Sequence, residues 1–335
     1  MRLRYFLIGS GIAWNLPIAW ILWPFSLIYI FVFNLRSKIL RKFFLKTFEV
    51  PIIVVGNLTV GGVGKTPLVI ALAEHFKAKN IKVGIVSRGY RSKVSNFPYE
   101  VDVNNTADLV GDEPLLLAKK TQVPVVIDPK RSQAVAYLIQ KHGCQVVISD
   151  DGLQHAAMGR ALEIVVIDGA CGFGNGLCLP AGPLREPIKR LNHVDFIFIH
   201  GENTANIKFH GISQPIYRMD LKIKHLMHLK SGLKVVAGKN LPVPMAAMAG
   251  IGRPQRFFDS LRTLGYIFTE YSFPDHYAFM PRDLKFTEKT VVMTEKDAVK
   301  CDVFITDAMY ALSVAAETCS DFWLALDAHP KLNFN

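Results

Sequence analysis

Apolar and polar positions fall into three regimes along this chain. The first is an unbroken apolar run. No charged residue stands between Arg4 and Arg36, and positions 13–33 supply the roughly 20 apolar residues that a bilayer-crossing helix needs. The second begins near residue 51, where short Val/Ile-rich runs (52–56, 82–87, 124–128, 146–150, 164–168 and 195–199) alternate with helical patterns at 67–79, 112–120 and 131–142. That alternation predicts an α/β fold, a mostly parallel sheet with helices on both faces, whose ligands bind beyond the carboxyl ends of the strands. Polar and glycine-containing sequence at 201–215 then reads as a linker. The third regime is a shorter alternating set: a strand at 244–249, a turn Gly250-Ile-Gly-Arg-Pro254, a helix through Leu264 and a strand at 289–294. The pattern predicts an N-terminal anchor over 1–47, a first domain over 48–204, and a linker plus smaller α/β domain over 205–335. The C-terminal segment of that last unit is free to pack back on the first domain.

Composition sharpens the first regime. At 335 residues, half of them hydrophobic, the chain can build about two domains with substantial cores. Trp14, Trp20 and Trp23 crowd into the apolar run, where aromatic rings suit a membrane interface. A cleaved signal peptide would carry a shorter apolar core and a small-residue cleavage site. Here the run ends instead in Arg36, Lys38, Arg41, Lys42 and Lys46, which outnumber Arg2 and Arg4 and place the downstream chain in the cytoplasm. Pro17 and Pro24 predict a kink or break in the anchor helix.

The net charge of +11 raises the question of nucleic acid. Seven bases and one acid up to Val50 account for +6 of it, a juxtamembrane excess suited to anionic lipid. Zinc-finger spacing, RNP motifs and basic helices interleaved with aromatics are all missing, so nucleic acid is not an expected partner. The five cysteines form no CxxC pair and fit reduced thiols.

The chemistry starts at Val50-Pro-Ile-Ile-Val-Val-Gly-Asn-Leu-Thr-Val-Gly-Gly-Val-Gly-Lys-Thr66. An apolar strand, a glycine-rich turn and Lys-Thr opening a helix make a phosphate cradle. Backbone N–H groups crowd toward the anion and the helix N-terminus adds partial positive charge. Thr59, Val60, Gly61, Gly62, Val63 and Gly64 form the turn, Lys65 reaches the outer phosphates, and the Thr66 hydroxyl can ligate Mg²⁺. Thr59 stands where a P-loop usually opens with Gly. The strand 146–150 ends in Asp150-Asp151-Gly-Leu-Gln-His155, paired acids that either hold Mg²⁺ or cap a turn.

Other candidates are weaker one by one. Gly111-Asp112-Glu113-Pro114 opens a helix and reads first as an N-terminal cap. Arg131 begins another helix, exposed or gripping a phosphate. Arg88 and Arg91 follow a strand end and suit an anionic ligand. Arg185 and Glu186 sit on a Pro/Gly-rich loop of the kind that carries binding residues. Asp168 reads as a turn residue, and His276, among aromatics, as a packed histidine.

Together with Ser87-Arg-Gly-Tyr90, Pro183-Leu-Arg-Glu186 and Thr294-Glu-Lys-Asp297, the phosphate loop, Gly111-Asp-Glu-Pro114 and Asp150-Asp-Gly-Leu-Gln-His155 form an ordered set. In that set the chain resembles the tetraacyldisaccharide 4′-kinases, the lipid A 4′-kinases of Gram-negative bacteria, over nearly its full length. The resemblance implies a P-loop NTPase-like fold, transfer of the ATP γ-phosphoryl to the 4′-hydroxyl of an acylated glucosamine disaccharide 1-phosphate to give lipid IVA, and a place on the cytoplasmic face of the inner membrane. It implies Asp112 and His276 as a catalytic pair alongside Lys65 and Arg131. Arg88, Arg131, His155, Arg185 and Glu186 fall on the substrate side, and Thr66, Asp150 and Asp151 at Mg²⁺. No protein partner is implied. In that family the first loop position is often Ser or Thr, which accommodates Thr59. A membrane-associated ATPase switch of the MinD or ParA type would carry Lys before the paired glycines, where this chain has Val60. Guanine recognition would need a Lys-x-Asp spacing that Thr294-Glu-Lys-Asp297 lacks.

Overall fold

The computed structural model describes residues 17–332 except Asn240. Helix α1 (Ile18–Phe44) is continuous through Pro24, so of the expected kink or break the break is not there. Pro17 stands at its N-terminus, where the missing N–H costs nothing. The predicted anchor residues 13–16, Trp14 among them, lie outside the described residues. At 27 residues α1 is about 40 Å long, with an apolar stretch of mean hydropathy 1.9. It is long and apolar enough to cross a membrane, and Trp20, Ile21, Phe25, Ile28 and Phe31 are exposed. One face is occupied: Ser26 Oγ donates to the Cys178 carbonyl at 2.6 Å and accepts from Ala181 N at 3.2 Å, and Tyr29 Oη donates to the Arg185 carbonyl at 3.0 Å.

Beyond α1 the chain alternates as its pattern predicts. Strands β1 (Ile52–Gly56), β2 (Val83–Ser87), β4 (Val125–Ile127), β5 (Val146–Asp150) and β6 (Leu162–Asp168) are buried at every position. They can be mostly apolar because both sheet faces are covered. Between them lie α2 (Lys65–Ala78), the short edge strand β3 (Tyr99–Glu100), α3 (Ala107–Val110), α4 (Asp112–Thr121) and α5 (Arg131–His142). After β7 (Phe196–His200) comes β8 (Ile216–His228), with β9 (Lys234–Val235) paired to it. Then follow β10 (Met245–Ala249), α6 (Pro254–Thr263), β11 (Thr269–Ser272), β12 (Thr290–Thr294), α7 (Glu295–Cys301), β13 (Met309–Thr318) and α8 (Ser320–Asp327).

All the strands join one sheet, in the order β11-β10-β12-β13-β8-β7-β6-β1-β5-β2-β4-β3. Its pairings are parallel except at β8–β13, β3–β4 and β8–β9. Thirteen-residue β8 is the hinge plate of the molecule. Its start runs parallel to β7 and its remainder antiparallel to β13, so it belongs to both halves. On the β1 side, two cores cover opposite sheet faces, one around Leu68, Leu72, Phe76 and Leu115, the other around Val54, Leu138, Val147 and Ile197. On the β10 side a second pair of cores forms around Phe258 with Val292, and around Met248 with Met293. We refer to these as the first and second lobes. Helix α8 returns to the first lobe, where Phe322 packs on Phe198 with ring centroids 4.7 Å apart.

Candidate active site

Strand β1 delivers the glycine-rich turn at the carboxyl edge of the sheet, between β5 and β6. Gly64, the last residue before α2, has φ +87°, a conformation open to glycine, and a β-carbon there would strike the His200 ring. His200 Nδ1 lies 2.8 Å from the Val63 carbonyl, so β7 braces the turn from beneath. From the other side, Asn57 Nδ2 donates to the Thr59 carbonyl at 2.7 Å. Lys65 Nζ, at the first residue of α2, reaches Asn57 Oδ1 at 2.9 Å and Asp151 Oδ1 at 3.1 Å. The cation is thus held above the turn, aimed by its neighbours.

Strand β5 places the acidic pair beside it. Asp150 is 1% exposed, and its Oδ1 has no hydrogen-bond partner among the described residues. Burial, reinforced by the charge of Glu113, pushes its carboxyl up to about 7. Asp151 is the opposite case. Burial works to raise it, but Lys65, Arg185 and Arg131 together hold it well below the usual carboxylate range. Arg185 Nη1 sits 3.2 Å from Asp151 Oδ2 and 3.3 Å from Gln154 Oε1. Gln154 in turn donates to Glu186 Oε1 at 2.8 Å and to the Asn57 carbonyl at 3.2 Å, so the Arg185–Glu186 loop is tied to the phosphate turn. Burial raises Glu186, which also meets Arg190 at 3.3 Å.

Arg131 is only 5% exposed. Its Nη2 donates to the carbonyls of Asp150 and Asp151 at 3.0 and 2.8 Å, which fixes the peptide that carries both acids. Burial lowers its guanidinium to about 10. Arg131→Ala leaves two carbonyls unpaired beneath the acidic pair. We expect a loss of about 2–5 kcal/mol of unfolding free energy, measured by urea titration. An unchanged midpoint would show the guanidinium to be dispensable to the fold.

His155 lies where guanidiniums converge. Burial, followed by Arg131, Arg160, Arg88 and Arg36, drives its imidazole down to about 4, so it is neutral near pH 7. Arg88 is exposed, and Arg36 comes from α1, so the basic end of that helix faces the same place.

A third group assembles across the lobes. Asp112, at the start of α4, meets His276 of the second lobe: Nδ1 to Oδ2 is 2.8 Å. Arg91 Nη1 donates to the His276 carbonyl at 2.9 Å, and the Tyr90 ring packs edge-on to the imidazole. Gly252 spans the gap to the phosphate turn, since a β-carbon there would lie 3.4 Å from Asp275 Oδ2 and 3.6 Å from Gly62 N. Asp168 does more than turn the chain. It accepts from Ala170 N at 2.9 Å, and the same Oδ1 receives Arg253 and Arg256 of the second lobe at 2.6 and 2.9 Å.

The phosphate turn, the acidic pair and the cross-lobe carboxylate–imidazole contact can be set beside proteins of known name. The family model for Tetraacyldisaccharide-1-P 4′-kinase matches residues 18–330. The chain belongs to the tetraacyldisaccharide 4′-kinase family. It is 50% identical over 313 residues to the tetraacyldisaccharide 4′-kinase of Legionella pneumophila (strain Corby), which covers 93% of this chain and 94% of that one. The corresponding figures for the enzyme of Hahella chejuensis are 42% identity, 95% and 94%. A crystal structure of LpxK from Aquifex aeolicus, described as an "apo" form in complex with ATP, superposes with a TM-score of 0.78 at 28% identity. That match covers 94% of this chain and all of that one. The fold expected from the sequence, a P-loop type sheet with a smaller α/β unit and an apolar N-terminal helix, therefore holds.

Several side chains of this cluster carried no role in the sequence reading: Asn57, Glu113, Gln154, Asp275 and Lys296. All but Asp275 lie inside the motifs that carried the resemblance. Motif position alone did not say which way they point.

Proposed function

We propose that this chain transfers the γ-phosphoryl group of ATP to the 4′-hydroxyl of a tetraacylated glucosamine disaccharide 1-phosphate, forming lipid IVA in lipid A biosynthesis. The observation that carries this reading is the 2.8 Å contact between Asp112 and His276, formed across the two lobes and close to the phosphate turn. A nucleotide switch needs the turn alone; a kinase for an alcohol also needs a base beside it. In this reading the 59–64 turn and Lys65 hold the phosphates, and Asp112 with His276 receives the hydroxyl proton. Arg88, His155, Arg185 and Glu186 line the acceptor side, with Arg131 shaping it from below.

Mg²⁺ fits the residues present. The buried Asp150 Oδ1 lacks a partner among the described residues, Asp151 is next to it in the chain, and Asp151 Oδ1 lies 3.1 Å from Nζ of Lys65, the residue before Thr66. Among the described residues no three His, Cys, Asp or Glu side chains form a closed metal cage. Mg²⁺ in such enzymes is held by one or two carboxylates, water and phosphate oxygens, so this openness suits it. Bound there by Thr66, Asp150 and Asp151, it would neutralise charge on the transferring phosphoryl group.

The acyl chains of the substrate call for a membrane, and α1 supplies the means to sit at its cytoplasmic face. Deleting residues 1–35 removes the exposed apolar helix face together with the Ser26 and Tyr29 braces on the 178–185 loop. Co-sedimentation with anionic vesicles should fall, and what persists through Arg36, Lys38, Arg41 and Lys42 should be lost at high salt, because exposed charges are screened within roughly 8 Å at physiological ionic strength. The KM for lipid should rise more than that for ATP. Unchanged partitioning at low and high salt would refute the anchor.

The function is tested by incubating purified protein with γ-labelled ATP and detergent-dispersed disaccharide lipid. Label should enter the lipid. ATP turnover that ignores added lipid would point to a switch instead.

A further inference from the structure

Helix α1 has a second occupation besides its exposed apolar surface. Ser26 and Tyr29 stand three residues apart, on one side of the helix, and both hydrogen-bond into the loop that carries Arg185 and Glu186. Ser26 is 2% exposed, and its hydroxyl serves the loop twice, donating to the Cys178 carbonyl and accepting from Ala181 N. Tyr29 Oη donates to the Arg185 carbonyl at 3.0 Å. That carbonyl belongs to the peptide joining Arg185 to Glu186. The phenol therefore fixes the plane that contains the Cα atoms of both residues.

The same stretch is tied to the phosphate turn on its other side. Arg185 N donates to the Leu58 carbonyl at 2.6 Å, and Val60 N donates to the Pro183 carbonyl at 2.8 Å. The Arg185 guanidinium meets Asp151 at 3.2 Å, and Asp151 holds Lys65 at 3.1 Å. Arg185 thus lies between α1 and the phosphate turn, its N–H held by the turn, its guanidinium by Asp151 and its carbonyl by the helix. Only the last of these holds comes from outside the phosphate-turn and acidic motifs. A helix that served attachment alone would need only apolar contacts with the lobe. Hydroxyls set in that contact lose water and regain the energy only through directed bonds, so they specify a geometry that apolar packing does not.

We propose that Tyr29 is a positioning residue for the acceptor side of the site: it fixes the Arg185–Glu186 peptide, and through it the two side chains that meet the lipid headgroup. The inference rests on the kinase reading and on the place of Arg185 and Glu186 beside the acceptor. It gives α1 two separable duties. Trp20, Ile28, Phe31 and Leu35 are exposed and free to meet lipid, whereas Tyr29 is turned to the lobe and packs against its core.

Tyr29→Phe keeps the ring, its stacking on Phe33 and the apolar character of the helix, and removes only the hydroxyl. With detergent-dispersed disaccharide lipid, kcat/KM for lipid should fall about 5-fold or more, as one directed hydrogen bond is lost, while KM for ATP stays within about 2-fold of the parent's. Co-sedimentation with phosphatidylethanolamine–phosphatidylglycerol vesicles should match the parent's, because the lipid-facing residues are untouched. A Tyr29→Phe enzyme with the parental kcat/KM for lipid would overturn the proposal. So would a loss that falls equally on lipid and ATP, the mark of a general disturbance of the fold. A loss seen only with vesicle-borne lipid, together with weaker vesicle binding, would overturn it too and leave α1 as an anchor alone. Failure of the parent protein itself to label the lipid would instead remove the kinase reading beneath it.

Discussion

Lys65→Ala is expected to lower kcat by roughly 10²–10³-fold or more while leaving the protein folded. Phosphoryl transfer passes through a loose transition state whose charge spreads over the phosphoryl oxygens, so the protein contributes mainly fixed positive charge in the right place. Lys65 is fixed in place by Asn57 and Asp151, which hold its ammonium above the turn. Donors aimed in advance need no reorganisation at the moment of reaction, and for that reason their loss is costly. The fold should survive because Asp151 keeps Arg185 as a partner and Arg131 continues to hold the local peptide. The check is steady-state kinetics with lipid and ATP, paired with a thermal melt of the same preparation. A folded variant with near-parental turnover would remove the phosphate turn from the mechanism.

The second large effect belongs to Asp112 and His276. A sugar hydroxyl is a weak nucleophile near neutral pH, and a positioned base contributes typically 10²–10⁴-fold. Asp112→Ala and His276→Ala should each lower kcat far more than they raise KM for ATP, because neither residue lies on the phosphate turn. The 2.8 Å contact between them makes one unit of the two side chains. Removing the second member after the first should then cost little, and the double variant should be scarcely worse than the more damaging single one. Losses that multiply in full would mean two independent roles. A His276→Ala enzyme with unaltered kcat would return that histidine to packing against Tyr90.

What could be read from the chain depended on the range of the signal. The strand, turn and helix around Lys65 were legible because each rests on neighbours in sequence: buried apolar residues in β1, glycines in the turn, Lys-Thr opening α2. The same holds for Asp150 and Asp151 at the end of β5. Strands β8 and β13 were not legible. Most of β8 is partly or fully exposed, and Lys222, Lys224 and His225 make it read as polar sequence. Over most of its length its antiparallel pairing with β13, some 90 residues away, makes it a strand. Asp112 and His276 are 164 residues apart, and the resemblance alone suggested their partnership. Alone, Asp112 looked like a helix cap and His276 like a core residue. Lys296 was hidden for the same reason, since its partners come from both lobes and no spacing along α7 announces them. The anchor helix misled in the other direction. Pro24 promised a kink or a break, and α1 runs through it unbroken, using its Ser26 side to hold the Cys178–Ala181 loop.

The central claim is that the acceptor is the 4′-hydroxyl of the acylated disaccharide. Phosphorus NMR of the purified lipid product, with proton–phosphorus correlation to the sugar ring, locates the new phosphate directly. The account predicts a second phosphomonoester coupled to the proton at the 4′ carbon, beside the original 1-phosphate. A pyrophosphate at position 1, or a phosphate on any other hydroxyl, would contradict it.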